Sequence, residues 1–120
     1  MRGFAERYIR TEWRGPGTYR LLRPVVYTTD AGETITAEAG MVFDWASIPK
    51  PLTAIYSRDG PHAPAAVIHD WLYEARDRPR AEADAIFLEA MASLGLPWLR
   101  RRLFHLTVRL FGGVYWQEHD

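Results

Sequence analysis

The chain has 120 residues, a formal net charge of zero and no cysteine. This length fits one domain, and the charge balance provides no general attraction to nucleic acid or to an anionic membrane. The missing cysteines exclude disulfides, thiolate metal sites and a cysteine nucleophile. No apolar run approaches the roughly 20 residues of a membrane span. The polar, mixed-charge residues 1–14 do not resemble a signal peptide.

The β-rich part of the chain is residues 19–44, where β-branched and aromatic residues alternate with polar ones. This pattern predicts a strand over 19–28, with Pro24 pushing it toward a sheet edge or a bulge. Gly32 allows a turn over 30–33, and residues 34–38 are expected to pair back as a hairpin. Gly40 breaks that strand, and Met41 to Phe43 form a short third strand or its continuation.

Three helices are predicted in the second half, over residues 64–76, 79–94 and 97–111. Proline suits the first turn of each helix, Gly95 suits the end of the second, and Gly112-Gly113 is expected to stop the third. The fold class is therefore α+β, with a small N-terminal β-hairpin or antiparallel sheet followed by three helices. The predicted single domain divides into a 1–18 arm or edge strand, a 19–44 β region, a 45–63 loop, a 64–113 three-helix region and a 114–120 tail.

A polar constellation lies within this helical region. His69 and Tyr73 are four residues apart, so they share a face of the first helix, and Asp70 lies beside Tyr73. Asp84 falls within the apolar stripe of the second helix, where an unpaired carboxylate is costly. Because the connector is short, the two helices should be antiparallel, which places Asp84 opposite His69 or Asp70.

These residues support a catalytic interpretation. His69 would be a general base oriented by Asp84, and Tyr73 would hydrogen-bond a carboxylate. Asp70 would hold a divalent cation, calcium or zinc, with Asp44 and loop carbonyls completing the shell. Alternatively, His69, Asp70 and Asp84 would ligate one metal. The structural alternative is a satisfied buried pair, His69 with Asp84, that ties two helices together.

Other charged residues have simpler expectations. Arg109 on the third helix could reach a buried carboxylate such as Asp84 or Asp70. The run Arg100-Arg101-Arg102 could touch phosphate but is more typical of a solvated helix face. Glu82 and Glu89 are predicted to be solvated charges on the outer side of the second helix.

In its motifs, the chain resembles DUF1353, a family of phage and prophage proteins without an established activity. This resemblance covers about residues 19–116 and implies a phage or gene-transfer-particle origin. The motifs that carry it are, in order, Phe43-Asp44-Trp45-Ala46-Ser47-Ile48-Pro49, then Ala66-Val67-Ile68-His69-Asp70-Trp71-Leu72-Tyr73, then Ala83-Asp84-Ala85-Ile86-Phe87 with Ala90-Met91, and Val108-Arg109-Leu110-Phe111-Gly112 with Trp116.

A second, local resemblance covers about 20 residues. His69-Asp70-x-x-Tyr73, followed by Asp84 on the next helix, looks like the paired active-site helices of secreted phospholipases A2. The resemblance implies His69 as base, Asp70 as calcium ligand, Asp84 as the orienting carboxylate and Tyr73 as its hydrogen-bond partner. The chain departs from that family in having no cysteines and no glycine-rich calcium loop, for which Asp44 to Pro49 would have to substitute.

Two functions follow as expectations. One is a phage-encoded, metal-assisted hydrolase acting on lipid, cell wall or another ester or amide. The other is a non-catalytic virion, tail or assembly-accessory protein with a structural polar cluster. The aromatic residues Trp13, Trp98 and Trp116, expected to be exposed, would then be interface candidates. Expected partners are other phage structural proteins or the cell envelope, with no specific nucleic acid. The expected location is the bacterial host cytoplasm, or the virion.

Overall fold

The computed structural model describes residues 2–43 and 60–118, in which six short strands precede three helices. This is the predicted α+β architecture. The strands are β1 (Gly3–Phe4), β2 (Thr11–Trp13), β3 (Tyr19–Leu21), β4 (Val25–Thr28), β5 (Thr34–Ala37) and β6 (Val42–Phe43), and the helices are α1 (Ala63–Ala75), α2 (Arg80–Ser93) and α3 (Trp98–Glu118).

The strands form two three-stranded antiparallel sheets, with orders β1-β4-β5 and β2-β3-β6. The predicted hairpin is present, since β4 pairs with β5 across a turn in which Gly32 has a φ of 93°. The N-terminal lead-in supplies β1 and β2, one edge strand for each sheet. The short strand predicted at Met41 to Phe43 is also present, as β6.

The single strand predicted over 19–28 was wrong, because the chain leaves one sheet after Leu21 and enters the other at Val25. Pro24 has no backbone N–H for a ladder hydrogen bond, which favours a break at this point. Leu21 and Val25 are both buried, so the break moves the chain between sheets without exposing either side chain. The core is shared by the sheets and the helices.

The helices begin close to the predicted positions, and Gly95, with a φ of 81°, follows α2 as expected. Its N–H donates to Ala92 O, and the N–H of Leu96 donates to Met91 O, which caps the helix end. The prediction that Gly112-Gly113 stops the third helix was wrong, because α3 continues to Glu118. No helix in the described residues is long and apolar enough to cross a membrane.

Two side chains attach α2 and its connector to the β4–β5 hairpin. Glu89 Oε1 accepts hydrogen bonds from the Tyr27 hydroxyl, at 2.5 Å, and from the Asp30 N–H, at 2.8 Å. The guanidinium of Arg78 donates to both carboxylate oxygens of Glu33, at 2.9 and 2.6 Å. The prediction of Glu89 as a solvated charge was therefore wrong, because its partly buried carboxylate accepts hydrogen bonds from Tyr27 and Asp30 of the hairpin.

Candidate functional site

The first part of the site is the buried face of α1. His69 and Tyr73 are one helical turn apart, and their ring centroids are 4.3 Å from each other. Both side chains are 0% exposed. Phe87 of α2 lies against the other side of the imidazole, with ring centroids 4.5 Å apart. The helical spacing and this aromatic packing fix where the imidazole and phenol point.

The second part is Asp84 of α2, also 0% exposed. Its Oδ1 lies 2.7 Å from His69 Nε2 and 2.6 Å from the Tyr73 hydroxyl, which donates to it. The predicted contact between Asp84 and His69 is therefore present. The short connector between α1 and α2 places the residues at the same height, and the carboxylate is satisfied from the neighbouring helix.

Two arginines approach the other carboxylate oxygen. Arg109 Nη1 of α3 lies 2.8 Å from Asp84 Oδ2, and Arg80 Nη1 of α2 lies 3.5 Å from it. Sequence reasoning anticipated the contact of Arg109 but missed Arg80. The signal was available, because Arg80 precedes Asp84 by four residues on the same helix, a spacing that brings opposite charges together.

The electrostatics favour an ionised Asp84 and a neutral His69. Burial acts to raise the pKa of Asp84, but hydrogen bonds from His69, Tyr73 and Arg109 outweigh it and leave the pKa below its ordinary value. Burial lowers the pKa of His69, although Asp84 opposes that shift. Burial also raises the pKa of Tyr73, so the phenol remains a donor. With neutral His69 donating through Nε2–H, every charge in the cluster faces an opposite charge.

Gly112 and Gly113 allow α3 to lie close to this cluster. A Cβ on Gly112 would fall 2.7 Å from the Tyr73 hydroxyl oxygen. The Arg80 guanidinium packs beside Gly113 and donates to the carbonyl oxygens of Val108 and Arg109, at 3.0 and 3.2 Å. Gly112 is therefore needed at this close contact with Tyr73, which explains why it lies inside α3 and does not end it.

The proposed metal ligands are distributed differently. Asp70 is 4% exposed on α1, adjacent to His69 but outside the set of groups that contact Asp84. Asp44 lies outside the described residues. Across 2–43 and 60–118, no three His, Asp or Glu side chains are grouped closely enough to hold a metal ion. His69, Asp70 and Asp84, all among the described residues, therefore do not form the shared metal site of the alternative prediction.

The contact with Asp84 determines which imidazole nitrogen of His69 could act as a base. Asp84 holds Nε2 of the imidazole, so Nδ1 is the nitrogen with which a base would accept a proton.

Two grooves formed by described residues lie elsewhere, and neither includes His69, Tyr73 or Asp84 in its walls. They are lined by Asp30, Ala85, Leu88, Glu89, Ala92, Ser93, Arg101 and Arg102, and by Trp98, Arg102, His105, Leu106 and Arg109.

The three tryptophans proposed for an interface differ in their surroundings. Trp13 and Trp98 are exposed. Trp116 is only partly exposed and packs edge-on against Tyr73, with ring centroids 5.0 Å apart, while the Arg76 guanidinium lies 4.9 Å from the indole centroid. The expectation that Trp116 is exposed was wrong, because α3 continues far enough to place its indole against the buried site.

Comparison with known proteins identifies the family. A model of a protein family of unknown function, DUF1353, matches residues 19–108, which include β3 to β6, α1, α2 and most of the contacts around Asp84. No curated protein and no solved structure matches the chain. Because the family model covers three quarters of the sequence, the chain belongs to the DUF1353 family.

Proposed function

We propose that the protein is a hydrolase in which His69 is the general base and Asp84 holds it in orientation. The observation that carries the proposal is the convergence of His69 Nε2 and the Tyr73 hydroxyl on Asp84 Oδ1, at 2.7 and 2.6 Å. A carboxylate that accepts a hydrogen bond from one imidazole nitrogen fixes the tautomer and the orientation of the ring, as a general base requires. The substrate class is an ester or amide of lipid or cell wall.

The residues have separate roles in this proposal. Nδ1 of His69 takes a proton from the attacking water, and Asp84 stabilises the imidazolium that forms. Tyr73 positions Asp84 by donating to the same oxygen that His69 contacts. Burial lowers the pKa of His69, so the ring is in its neutral, proton-accepting form at neutral pH. The resemblance to the paired helices of phospholipases A2 supports the same assignment of roles.

A divalent cation belongs to the proposal through Asp70. This residue brings one carboxylate next to the base, and calcium prefers oxygen ligands and takes six to eight of them. Asp44 is the second proposed protein ligand, with backbone carbonyls and solvent supplying the others. When bound, the cation would stabilise negative charge on the substrate oxygen.

The proposed setting is a phage, a prophage or a gene-transfer particle, either in the host cytoplasm or on the virion. Its support is the resemblance of the motifs around Asp44, His69 and Asp84 to phage proteins. Phage structural proteins and the cell envelope are the corresponding proposed partners.

A second candidate is favoured by the burial of the cluster. His69, Tyr73 and Asp84 are all 0% exposed, and Arg109 and Arg80 both contact the carboxylate. Such a network would serve equally as an electrostatic joint between three helices in a non-catalytic virion or assembly protein. The structural role and the hydrolase differ in one measurable respect. In the structural role, His69 needs no access to solvent.

Hydrolysis is tested on a panel of chromogenic acyl esters, phospholipid vesicles and peptidoglycan, with calcium, zinc or a chelator. The hydrolase proposal predicts turnover by the native chain and at least about a 100-fold loss in His69→Gln. His105→Gln is the matched control, because His105 is a partly buried histidine of α3 that makes no hydrogen bond to Asp84, and it should retain activity. No turnover of any panel member, or equal turnover by His69→Gln, would favour the structural joint.

A further inference from the structure

One side of the buried cluster is covered by the last turns of α3. Trp116 packs against the core, and its indole lies edge-on to Tyr73 with ring centroids 5.0 Å apart. The Arg76 guanidinium, at the end of α1, lies 4.9 Å from the centroid of the same indole. Because Tyr73 contacts both His69 and Asp84, the indole closes one approach to the cluster.

Two consecutive glycines precede this cover. Gly112 and Gly113 lie in the interior of α3, where glycine is less favourable than alanine, and such pairs are a common site of helix kinks. Taken alone, the local sequence favours a helix that ends after Phe111. The packing of Trp116 opposes that preference and favours the longer helix. The local signal and the closed structure therefore disagree at one place, the glycine pair.

Arg80 prepares α3 for a break at the glycines. A helix that ended at Phe111 would leave the carbonyls of its last four residues without N–H partners from the next turn. The first two of these carbonyls belong to Val108 and Arg109, and both already accept hydrogen bonds from the Arg80 guanidinium, at 3.0 and 3.2 Å. Leu110 and Phe111 are exposed, so water can reach this part of the helix. A break here would therefore leave fewer unsatisfied carbonyls than a break elsewhere in a helix.

We propose that residues 113–118 are a hinged cover, the Trp116 strap, which swings away at Gly112-Gly113 and opens one route to the buried cluster. Opening withdraws the indole from the ring of Tyr73. The Arg80 guanidinium stays on the carbonyls that it already contacts and caps the shortened helix. Closure restores the aromatic contact and excludes water from that side of the cluster.

The strap controls access to the site of the proposed hydrolase, and its purpose rests on that function. His69, Tyr73 and Asp84 are all 0% exposed, so a general base there needs an opening before it can meet water or substrate. Lids over active sites commonly turn on a few residues far from the chemistry. The motion itself needs no catalysis, because it follows from the helix and its contacts.

The strap is tested on the full chain by nitration with tetranitromethane, followed by mass spectrometry of each tyrosine peptide. The chain has no cysteine to compete for the reagent. In Trp116→Ala, Tyr73 should react roughly tenfold faster, the effect of losing one aromatic pair and one cation–π contact. Trp98→Ala, which removes an exposed tryptophan of the same helix before the hinge, is the matched control and should leave that rate unchanged. Tyr8, 52% exposed, is the internal reference and should react equally in all chains.

Gly113→Ala tests the hinge in the opposite direction. The new methyl group meets only ordinary contacts, and alanine favours the continuous helix, so nitration of Tyr73 should slow about fivefold. Low concentrations of urea separate strap opening from global unfolding. Nitration through the strap should depend only weakly on urea, whereas nitration through global unfolding would rise with the full urea dependence of stability.

Three results would overturn the strap. They are equal nitration of Tyr73 in the native and Trp116→Ala chains, no slowing in Gly113→Ala, and nitration that follows global unfolding in urea. If Trp116→Ala does not fold, the other two measurements still decide. Nitration needs no substrate, so the two proposals can fail separately. Turnover with any of these results would mean that substrate enters by another route, whereas a responsive strap without turnover would remove only the hydrolase.

Discussion

The hydroxyl oxygen of Tyr73 lies 2.7 Å from the position that a Cβ on Gly112 would occupy. No side chain fits there while Tyr73 keeps its hydrogen bond to Asp84 at 2.6 Å. Gly113, the next residue, has only ordinary contacts, of which the nearest is 3.6 Å from Arg80. A close contact therefore requires glycine at position 112 but not at 113. Alanine at the two positions should have different effects on the free energy of unfolding.

Gly112→Ala should lower the free energy of unfolding by about 1–3 kcal/mol, because the new methyl group overpacks the Tyr73 contact. Gly113→Ala is the matched control. It should leave stability unchanged or raise it by up to about 1 kcal/mol, since alanine favours the helix interior more than glycine does. Urea unfolding of both variants measures the difference. Equal effects of the two substitutions would contradict the close-contact account.

The same contact explains where sequence reasoning about the helices failed. A glycine pair after an apolar run is a common helix end, so the pattern predicted a stop after Phe111. The reason for Gly112 lies on another element, at Tyr73, and no local pattern contains it. The C-cap role of Gly95 was predicted correctly because its cause is local, a left-handed φ that closes α2.

Asp84→Asn tests how much the buried carboxylate stabilises the fold. The substitution preserves shape but removes the negative charge that Arg109 and Arg80 face. We expect a loss of about 3 kcal/mol, the lower end for a broken buried ion pair, because both arginines reach solvent. Glu82→Gln, an exposed carboxylate on the same helix, should change stability by less than about 0.5 kcal/mol. A similar small effect for Asp84→Asn would refute the role of the carboxylate as the centre of the cluster.

Stability should fall as pH drops below about 6.5. Burial lowers the pKa of folded His69 below the ordinary value of 6.5, so the unfolded chain takes up a proton before the folded chain does. The slope for one histidine is at most about 1.4 kcal/mol per pH unit. Because burial also lowers the pKa of His105, His105→Gln must be measured beside His69→Gln.

Urea titrations between pH 5 and 8 measure this linkage. Each histidine substitution should reduce the slope, and the His69 variant should reduce it more because His69 is the more completely buried of the two. Stability that rose on acidification would mean that Asp84 holds a charged imidazolium, contrary to the neutral state described above.

Arg80→Met should raise the pKa of His69. Asp84 acts to raise this pKa and the nearby Arg80 charge acts to lower it, so removing the guanidinium leaves the carboxylate less opposed. The imidazole proton resonances in NMR spectra follow the titration of His69. Arg78→Met is the control, because Arg78 pairs with Glu33 and Asp77 instead of Asp84. A fall in the His69 pKa, or no change, would contradict the charge balance of the site.

Helical spacing was enough to predict the part of the candidate site that lies on facing helices. The positions of His69, Tyr73 and Asp84 on facing helices indicated their contact, and Arg109 was a recognised candidate partner. The path of β3 into β4 was not predictable in the same way, because alternation continues across Pro24 while the chain changes sheets. Likewise, Glu89 has an outward position on its helix, and only the long-range hairpin contact makes it a hydrogen-bond acceptor.

The most direct measurement of the central claim is alkylation of the native, folded chain with a bromoketone that reacts with neutral imidazole, followed by mass spectrometry of each histidine peptide. If His69 is a general base, it should be modified at Nδ1 much faster than the chain unfolds, and Asp84→Asn should slow that reaction. If His69 belongs only to a structural joint, it should react no faster than global unfolding exposes it, and that result would contradict the hydrolase proposal.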